Sequence, residues 1–574
     1  YTLEFTQNPA WYAIQALPYL MEYPHECTEQ IFSRFYANAL ASHIANQQPK
    51  IRQTFERWKN IEPQALQSNL EKNVELKSAL LEETPWVLAA QNEAQQKRHI
   101  ALLFDLHRMA KEQQNAKATI LQRQLPNGGF AWFPDGEADW CVTQHIVHGF
   151  AQLRQMNVAG IRDDKTIARA CEKAIAYLDD ILYQQYNRRD TAANSLHFSD
   201  AIAAYLYTRS LYSDIAITAV HKKALQYYQD QARQHWTKSS LHSQALIALT
   251  CQRQADSSTA SLIVESLRQR ANTSNPLTMH WNYRAGYRWH ESPIETHALM
   301  IQLFDEVAGD SASVERLRNW LLQSKQTSYW STTKATTQAI YALLLRGGGD
   351  IAHTLDSQPL AIRIGSSALD SQTTQAEAGT GYFKTLWTAE KIRPDMSRLS
   401  ISNPNKIAAW GAVHFQYFEQ ADKVSSANSS LKIRRQLLRE IITPQGRTLI
   451  DIGNDAAPLR VGERLVVRIE IQTQRDLEYV HLKDLRASTC EPLQTISRRE
   501  YNSTSRLGYY RSSRDLATHF FIDYLPAGNH VFEYPLRVQQ KGNFSNGLCS
   551  IQSMYAPEFA SHSEGSRIVV TSDE

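Results

Sequence analysis

Between about residue 9 and residue 346, apolar side chains recur at helical spacing, and one kind of helix start returns several times. Trp132 precedes Thr143-Gln144-His145, Trp289 precedes Thr296-His297-Ala298, and Trp330 precedes Thr337-Gln338-Ala339. Further starts are expected at Ser199-Asp200-Ala201 and Ser243-Gln244-Ala245. The interval is a loose period of about 50 residues, which suits one helix-turn-helix per repeat. Each repeat contacts only its neighbours, so stacked repeats curve into a solenoid or close into a ring. Each expected start offers Ser or Thr as a helix cap, followed by an inward stripe such as Ile146, Val147, Phe150 and Leu153.

The pattern then changes. Arg346-Gly347-Gly348-Gly349-Asp350 breaks the helical run. Leu360-Ala361-Ile362-Arg363-Ile364 alternates, as do Val413, Phe415 and Tyr417, and Ser425 to Ser430 reads as a polar linker. From Leu431 on, the segments 465–471, 480–482 and 530–538 alternate apolar and polar as in a β-sandwich. A chain of 574 residues is too long for one core, and about three domains are expected. Residues 46–96, rich in Gln, Lys and Glu, read as a solvated insertion in the first hairpin, with a partner-binding helix as the alternative. The chain opens on Tyr1-Thr2-Leu3-Glu4-Phe5, which alternates like a strand; without an initiator Met or signal peptide it reads as a piece of a larger polypeptide.

Composition excludes several functions. A net charge of +3, from 61 basic and 58 acidic residues interspersed along the chain, gives no electrostatic case for nucleic acid or an acidic membrane surface. No apolar run approaches a membrane span. The six cysteines show no C-x-x-C metal spacing; Cys490 and Cys549 can bridge or remain two buried thiols. No metal or cofactor is expected. Asp135, Glu137 and Asp139 are expected in a solvated loop.

Tyr23-Pro24-His25-Glu26-Cys27-Thr28-Glu29-Gln30 carries the chemistry. A cysteine three residues before a glutamine can displace ammonia from its carboxamide, forming an internal thioester between Cys27 and Gln30. The bland alternative is a buried free thiol at a helix start. Glu29 is not needed for the bond; it or Thr28 is expected to serve the helix N-terminus. His145 and His148 lie three apart on one helix, where core histidines are the ordinary reading.

The octet resembles the thioester signature of the alpha-2-macroglobulin and complement family, its bacterial branch in particular. Glu26 stands where that family usually carries Gly; if the position needs positive φ, Glu is strained there. Gly508-Tyr509-Tyr510-Arg511, Arg514-Asp515, Phe520-Phe521, Tyr524-Leu525-Pro526-Ala527-Gly528, Gly542-Asn543-Phe544 and Ser553-Met554-Tyr555-Ala556-Pro557 resemble the closing domain of bacterial members. Ala409-Trp410-Gly411-Ala412 and Gln416-Tyr417 resemble the family's short β-domain. Gly128-Gly129-Phe130 and the Trp-rich turns resemble α/α-toroid proteins.

The resemblance implies a multidomain α + β chain. Residues 1–8 add a strand to a small CUB-like β-domain at 351–425, residues 9–346 form an α/α-toroid thioester domain, and 431–574 form a macroglobulin, receptor-binding-like β-sandwich. It implies inhibition of endopeptidases by covalent trapping through lysine amines, with the bait region and further macroglobulin domains elsewhere in the polypeptide, outside the cytoplasm. It makes Met554 and Tyr555 the shield of the thioester, with Tyr12 or Tyr19 as alternatives, and His197 the position of an acyl-transfer base in complement-like chemistry. Alternatives are a surface adhesion module that uses its thioester to couple, and a toroid cyclase or prenyltransferase, whose acid and metal motifs are not seen.

Overall fold

A computed structural model describes residues 1–9, 11–21, 27–47, 53, 106–189, 198–274, 276–282, 293–324, 330, 332–344, 358–369, 376–377, 379–405, 409–415, 417, 419–429, 431–453, 458–474, 476–502, 507–554 and 559–571. Helices and sheets are both present, and the chain divides into two units between Val413 and His414.

The first unit is mostly helical: α1 (Trp11–Gln15), α2 (Leu17–Met21), α3 (Thr28–Gln47), α4 (Leu106–Gln122), α5 (Trp140–Gln155), α6 (Lys165–Arg188), α7 (Asp200–Ser210), α8 (Ala219–His235), α9 (Leu241–Arg253), α10 (Ser257–Gln269), α11 (Pro293–Leu303), α12 (Ser311–Gln323) and α13 (Thr333–Leu344). From α3 on, odd-numbered helices pack each on the next, and α13 packs on α3, so their succession closes on itself. The even-numbered helices α4, α10 and α12 each lie against the odd-numbered helix before them.

Burial explains the division of labour. The expected stripe Ile146, Val147, Phe150 and Leu153 is buried, and α5 is buried almost all round. By contrast α8 buries only Ala224, Tyr228 and Ala232. The helix starts fall close to the expected ones, but the caps differ. Ser199 caps α7 as expected, accepting from the Ile202 N–H. In α5 the cap is Asp139, and Thr143 sits within the first turn, donating to Asp139 O at 2.7 Å and accepting from the Phe130 N–H at 2.8 Å. Ser240 rather than Ser243 caps α9, and Thr332 rather than Thr337 accepts the first-turn N–H of α13. These helices start a few residues early because an upstream Asp, Ser or Thr meets the orphan amides first.

The turn before α5 requires glycine. Gly128 has φ +89°, and a Cβ there would fall 2.2 Å from Lys173 O. The hairpin of β2 (Phe130–Ala131) and β3 (Ala138–Asp139) follows; Asp135 and Glu137 are exposed there, and Asp139 has its capping role.

Two three-stranded sheets complete this unit. In the first, β1 (Thr2–Thr6) lies between β6 (Phe383–Leu386) and β8 (Trp410–His414), with Phe5 opposite Phe383. In the second, β4 (Ala361–Ile364) lies between β5 (Ser367–Leu369) and β7 (Leu399–Ser402). Leu3, Phe5, Ile362, Ile364, Phe383 and Met396 share a core.

The second unit is β throughout its described length. A five-stranded sheet runs in the order β10 (Gly446–Asp451), β9 (Leu431–Thr443), β12 (Arg464–Thr473), β18 (Gly528–Val538), β14 (Cys490–Pro492). A six-stranded sheet runs β15 (Arg498–Asn502), β16 (Leu507–Ser513), β17 (Ala517–Leu525), β13 (Leu477–Leu485), β20 (Cys549–Ser553), β21 (Ala560–His562). A third holds β11 (Leu459–Arg460), β22 (Ser566–Thr571) and β19 (Gly542–Asn546). Alternate residues, such as Leu465, Val467, Ile469 and Ile471 of β12 and Phe520 and Ile522 of β17, fill one apolar core. Within the unit, Arg435 Nε of β9 lies 2.7 Å from Asp484 Oδ1 of β13, and the Tyr534 hydroxyl donates to the same carboxylate. Part of the stretch expected as a linker is paired instead: Ala427 and His562 exchange backbone hydrogen bonds of 3.0 and 2.9 Å. Cys490 and Cys549 are buried and free.

Candidate functional site

Cys27 directly precedes α3, and its carbonyl accepts the Ile31 N–H at 3.0 Å. Its side chain therefore stands at the capping position, where the first-turn backbone N–H groups of Gln30 and Glu29 favour negative charge on the sulfur. The half-buried thiol is pushed above its ordinary range, chiefly by burial; the Gln30 N–H opposes this, and the Glu29 charge adds to it. Gln30, one turn on, has a buried Oε1 without a hydrogen-bond partner among the described residues. Cys27 and Gln30 thus both stand at the N-terminus of α3.

Thr28, expected as a possible cap, turns instead to the β2–β3 hairpin: Trp132 O accepts both its N–H at 2.9 Å and its hydroxyl at 3.1 Å. Glu29 points into the protein. Its carboxylate accepts from Ser33 Oγ at 2.9 Å and from Thr333 Oγ1 at 3.0 and 2.9 Å, and His145 Nε2 lies 3.9 Å away. Burial raises the Glu29 carboxyl above its ordinary value; Ser33, Thr333 and Lys334 work against this, and Glu295 adds to it. Lys334 Nζ lies 4.0 Å from Glu295 Oε1. Burial lowers the Lys334 ammonium, opposed by Glu295 and Glu29.

His145 and His148 are both held neutral. Burial drives His145 well below the ordinary histidine value, with the Lys334 charge adding. His148 falls to about 3, through burial first and then Arg253 and Lys334. His145 meets the Phe32 ring edge-on and His148 the Tyr207 ring, as core histidines do.

Cross-links show that the N-termini of the odd-numbered helices from α3 on gather at one rim. Glu29 joins α3 to α5 and α13, and Lys334 joins α13 to Glu295 of α11. His242 Nδ1 of α9 lies 3.3 Å from Thr296 Oγ1 of α11. Ser240 Oγ, capping α9, donates to Asp200 of α7 at 2.9 Å, and Gln144 Nε2 of α5 donates to Ala201 O of α7 at 3.2 Å. Helix dipoles leave partial positive charge at this rim, which suits the first-turn acids Glu29, Asp200 and Glu295.

The remaining site residues divide. Met554 is buried in the second unit, its N–H donating to Tyr479 O at 3.0 Å. Tyr12 and Tyr19 are partly buried against the helical core. His197, Tyr555, Glu26 and most of 46–96 lie outside the described residues. Sequence reasoning missed Ser33, Glu295, Thr333 and Lys334. Ser33, four residues after Glu29, was the available signal, because that spacing puts both on one helix face.

Residues 431–558 match the sequence family described as the bacterial alpha-2-macroglobulin MG10 domain. The resemblance to bacterial alpha-2-macroglobulins is borne out. Among solved structures, the chain is similar to trypsin-activated alpha-2-macroglobulin from Escherichia coli, at 14% identity over 99% of this chain and 33% of that one, with a TM-score of 0.46. It is also similar to the native E. coli alpha-2-macroglobulin piece from domain MG7 to the C-terminus, at 14% identity, 99% and 77% coverage and a TM-score of 0.37. Salmonella alpha-2-macroglobulin reacted with methylamine gives 14%, 99%, 31% and 0.35 in the same order. The chain spans 33% of the first of these alpha-2-macroglobulin chains and 31% of the third. No curated protein matches. Among the described residues, no helix is long and apolar enough to cross a membrane, and no cluster of three or more His, Cys, Asp or Glu could hold a metal.

Proposed function

We propose that this chain is the covalent arm of a bacterial alpha-2-macroglobulin: a protease inhibitor, not a catalyst, that acts once through a Cys27–Gln30 thioester. The observation that carries this reading is Cys27 at the capping position of α3, its carbonyl accepting the Ile31 N–H, with Gln30 in the first turn at the positive end of the helix. The unpartnered Gln30 oxygen supports it. A buried amide oxygen left unpaired costs about 1–3 kcal/mol, and a thioester carbonyl is a weaker acceptor with less to lose. Helix-to-helix closure supports an α/α-toroid for residues 9–346, and the core shared by two sheets supports a macroglobulin β-sandwich for 431–574. Pairing of β1 with β6 and β8 supports a small β-domain of residues 1–8 and 351–425.

In this reading an attacking protease cuts a bait segment elsewhere in the polypeptide, the thioester is uncovered, and a protease lysine attacks it. The amine nitrogen bonds to the Gln30 acyl carbon, the C–S bond breaks, and Cys27 leaves as thiolate. The ammonium proton goes to solvent. A free amine needs no base, so amides are favoured over esters; a hydroxyl needs a base within hydrogen-bond reach. His145 and His148, neutral and enclosed, stay with the core. The location is extracytoplasmic.

The test uses a lysine-containing peptide probe. Native protein should form a hydroxylamine-stable adduct that peptide mapping places on Gln30, absent in Cys27→Ala. An adduct of equal yield in Cys27→Ala would overturn the thioester reading.

A further inference from the structure

Among the described residues, Glu29 is a carboxylate that bears on the Cys27 thiol while being held by side chains from a distant part of the chain. It is 5% exposed, and its two oxygens are fixed by the Ser33 and Thr333 hydroxyls. Its surroundings are unevenly charged. Lys334 of α13 contributes a positive field at Glu29, Glu295 of α11 is a second carboxylate 4.0 Å from that lysine, and His145 of α5 lies 3.9 Å from Glu29. It stands in the first turn of α3, two residues after Cys27, where its charge bears on the thiol, and Cys141 of α5 lies within the field of the same lysine. Neither neighbouring histidine carries charge, since both are buried and held neutral. The fixed opposing charges are therefore Lys334 and Glu295.

We propose that Glu29, balanced between Lys334 and Glu295, governs how readily the Cys27 sulfur leaves when an amine opens the thioester. This rests on the thioester reading above. In the opening step the amine nitrogen bonds to the Gln30 acyl carbon, the C–S electron pair goes to sulfur, and the extra amine proton goes to water. Negative charge grows on sulfur beside Glu29. The backbone N–H groups of Gln30 and Glu29 help that charge form, and an ionised Glu29 opposes it. A poorer thiolate leaves more slowly. Glu29 thus restrains the bond when ionised and releases it when neutral, as a positioning residue acting through the field at sulfur.

The signs separate this from a merely structural role. Lys334 favours the ionised form of Glu29 and Glu295 opposes it, so removing each must shift the transition in opposite directions. The experiment measures methylamine opening of the native protein against pH, by release of the Cys27 thiol, with each rate divided by the fraction of free amine. Wild type should show a fall of about tenfold or more as pH rises through the Glu29 transition. Glu29→Gln should be flat at the fast level. Lys334→Met should move the transition up by about one unit or more, and Glu295→Gln should move it down. Lys334→Arg should restore the wild-type profile. If Lys334→Met fails to fold, the downward shift in Glu295→Gln alone decides.

Superimposable profiles in wild type, Glu29→Gln and Glu295→Gln would overturn the proposal while leaving the thioester intact. A wild type that releases no thiol with methylamine fails earlier, at the thioester itself.

Discussion

The pairing proposed for Cys27 and Gln30 could be read from the sequence because it is local: three residues of spacing place a thiol and a carboxamide in the same helical turn. Lys334 and Glu295 were not, because they reach the site only after α13 has packed on α3, more than 260 residues downstream. A sequence read residue by residue has no signal for a contact that depends on helix-to-helix closure. Thr333 tests how much that contact is worth. Its hydroxyl donates to both Glu29 oxygens in a buried setting. Thr333→Val keeps the shape and removes the donor, leaving the carboxylate under-satisfied, so stability should drop by about 1–3 kcal/mol in urea unfolding. An unchanged midpoint would show that Lys334 and Ser33 suffice to hold Glu29.

At the scale of elements, the helical period predicted which segments are helices and which face is inward, because 3.6-residue spacing is written in the apolar stripe. It placed the caps poorly. Asp139, Ser240 and Thr332 compete for the same orphan amides as the Ser and Thr residues a few positions later, and the earlier residue wins by adding helical turns. Packing of α5 on α3 makes a sharper demand. Gly149 lets Phe32 approach so closely that a Cβ would fall 2.3 Å from its ring. Phe32 is itself wedged among Phe35, Tyr36 and Phe150, so it has little room to retreat. Gly149→Ala should therefore destabilise the helical unit by about 1–3 kcal/mol, read as a lower melting temperature, even though alanine is the better helix former. A rise in melting temperature would contradict this packing.

For the whole molecule, both units carry neutral buried histidines, and this sets a common acid response. Burial holds His148 and His297 at about 3 in the helical unit, and His481 at about 3 and His519 at about 4 in the β unit. His297 also accepts the Trp281 N–H at 3.0 Å, a bond its protonated form would break. The unfolded chain takes up these protons from about pH 6.5 downward and the folded protein does not. Stability is thus fully present above about 6.5 and is lost as pH falls toward 3–4, each histidine contributing up to about 1.4 kcal/mol per pH unit. The raised Glu29 acts in the opposite sense, costing stability as pH rises past its unfolded value. Urea midpoints should fall between pH 6.5 and 4, and His148→Leu should flatten that slope for the helical unit. A slope unchanged in this variant would mean that His148 takes up its proton without cost.

The division into a helical unit and a β unit was legible because the period of the apolar pattern changes along the chain. The pairing of β1 with strands more than 375 residues later was suggested only by resemblance, since strand partners leave no local trace. The central claim, that Cys27 and Gln30 are joined, is tested most directly by intact mass of freshly purified native protein with and without methylamine. The account predicts a mass lower than the sequence by one ammonia, and on treatment the gain of one methylamine together with one titratable thiol at Cys27. A mass equal to the sequence, with Cys27 alkylating before any treatment and Gln30 still an amide, would contradict it.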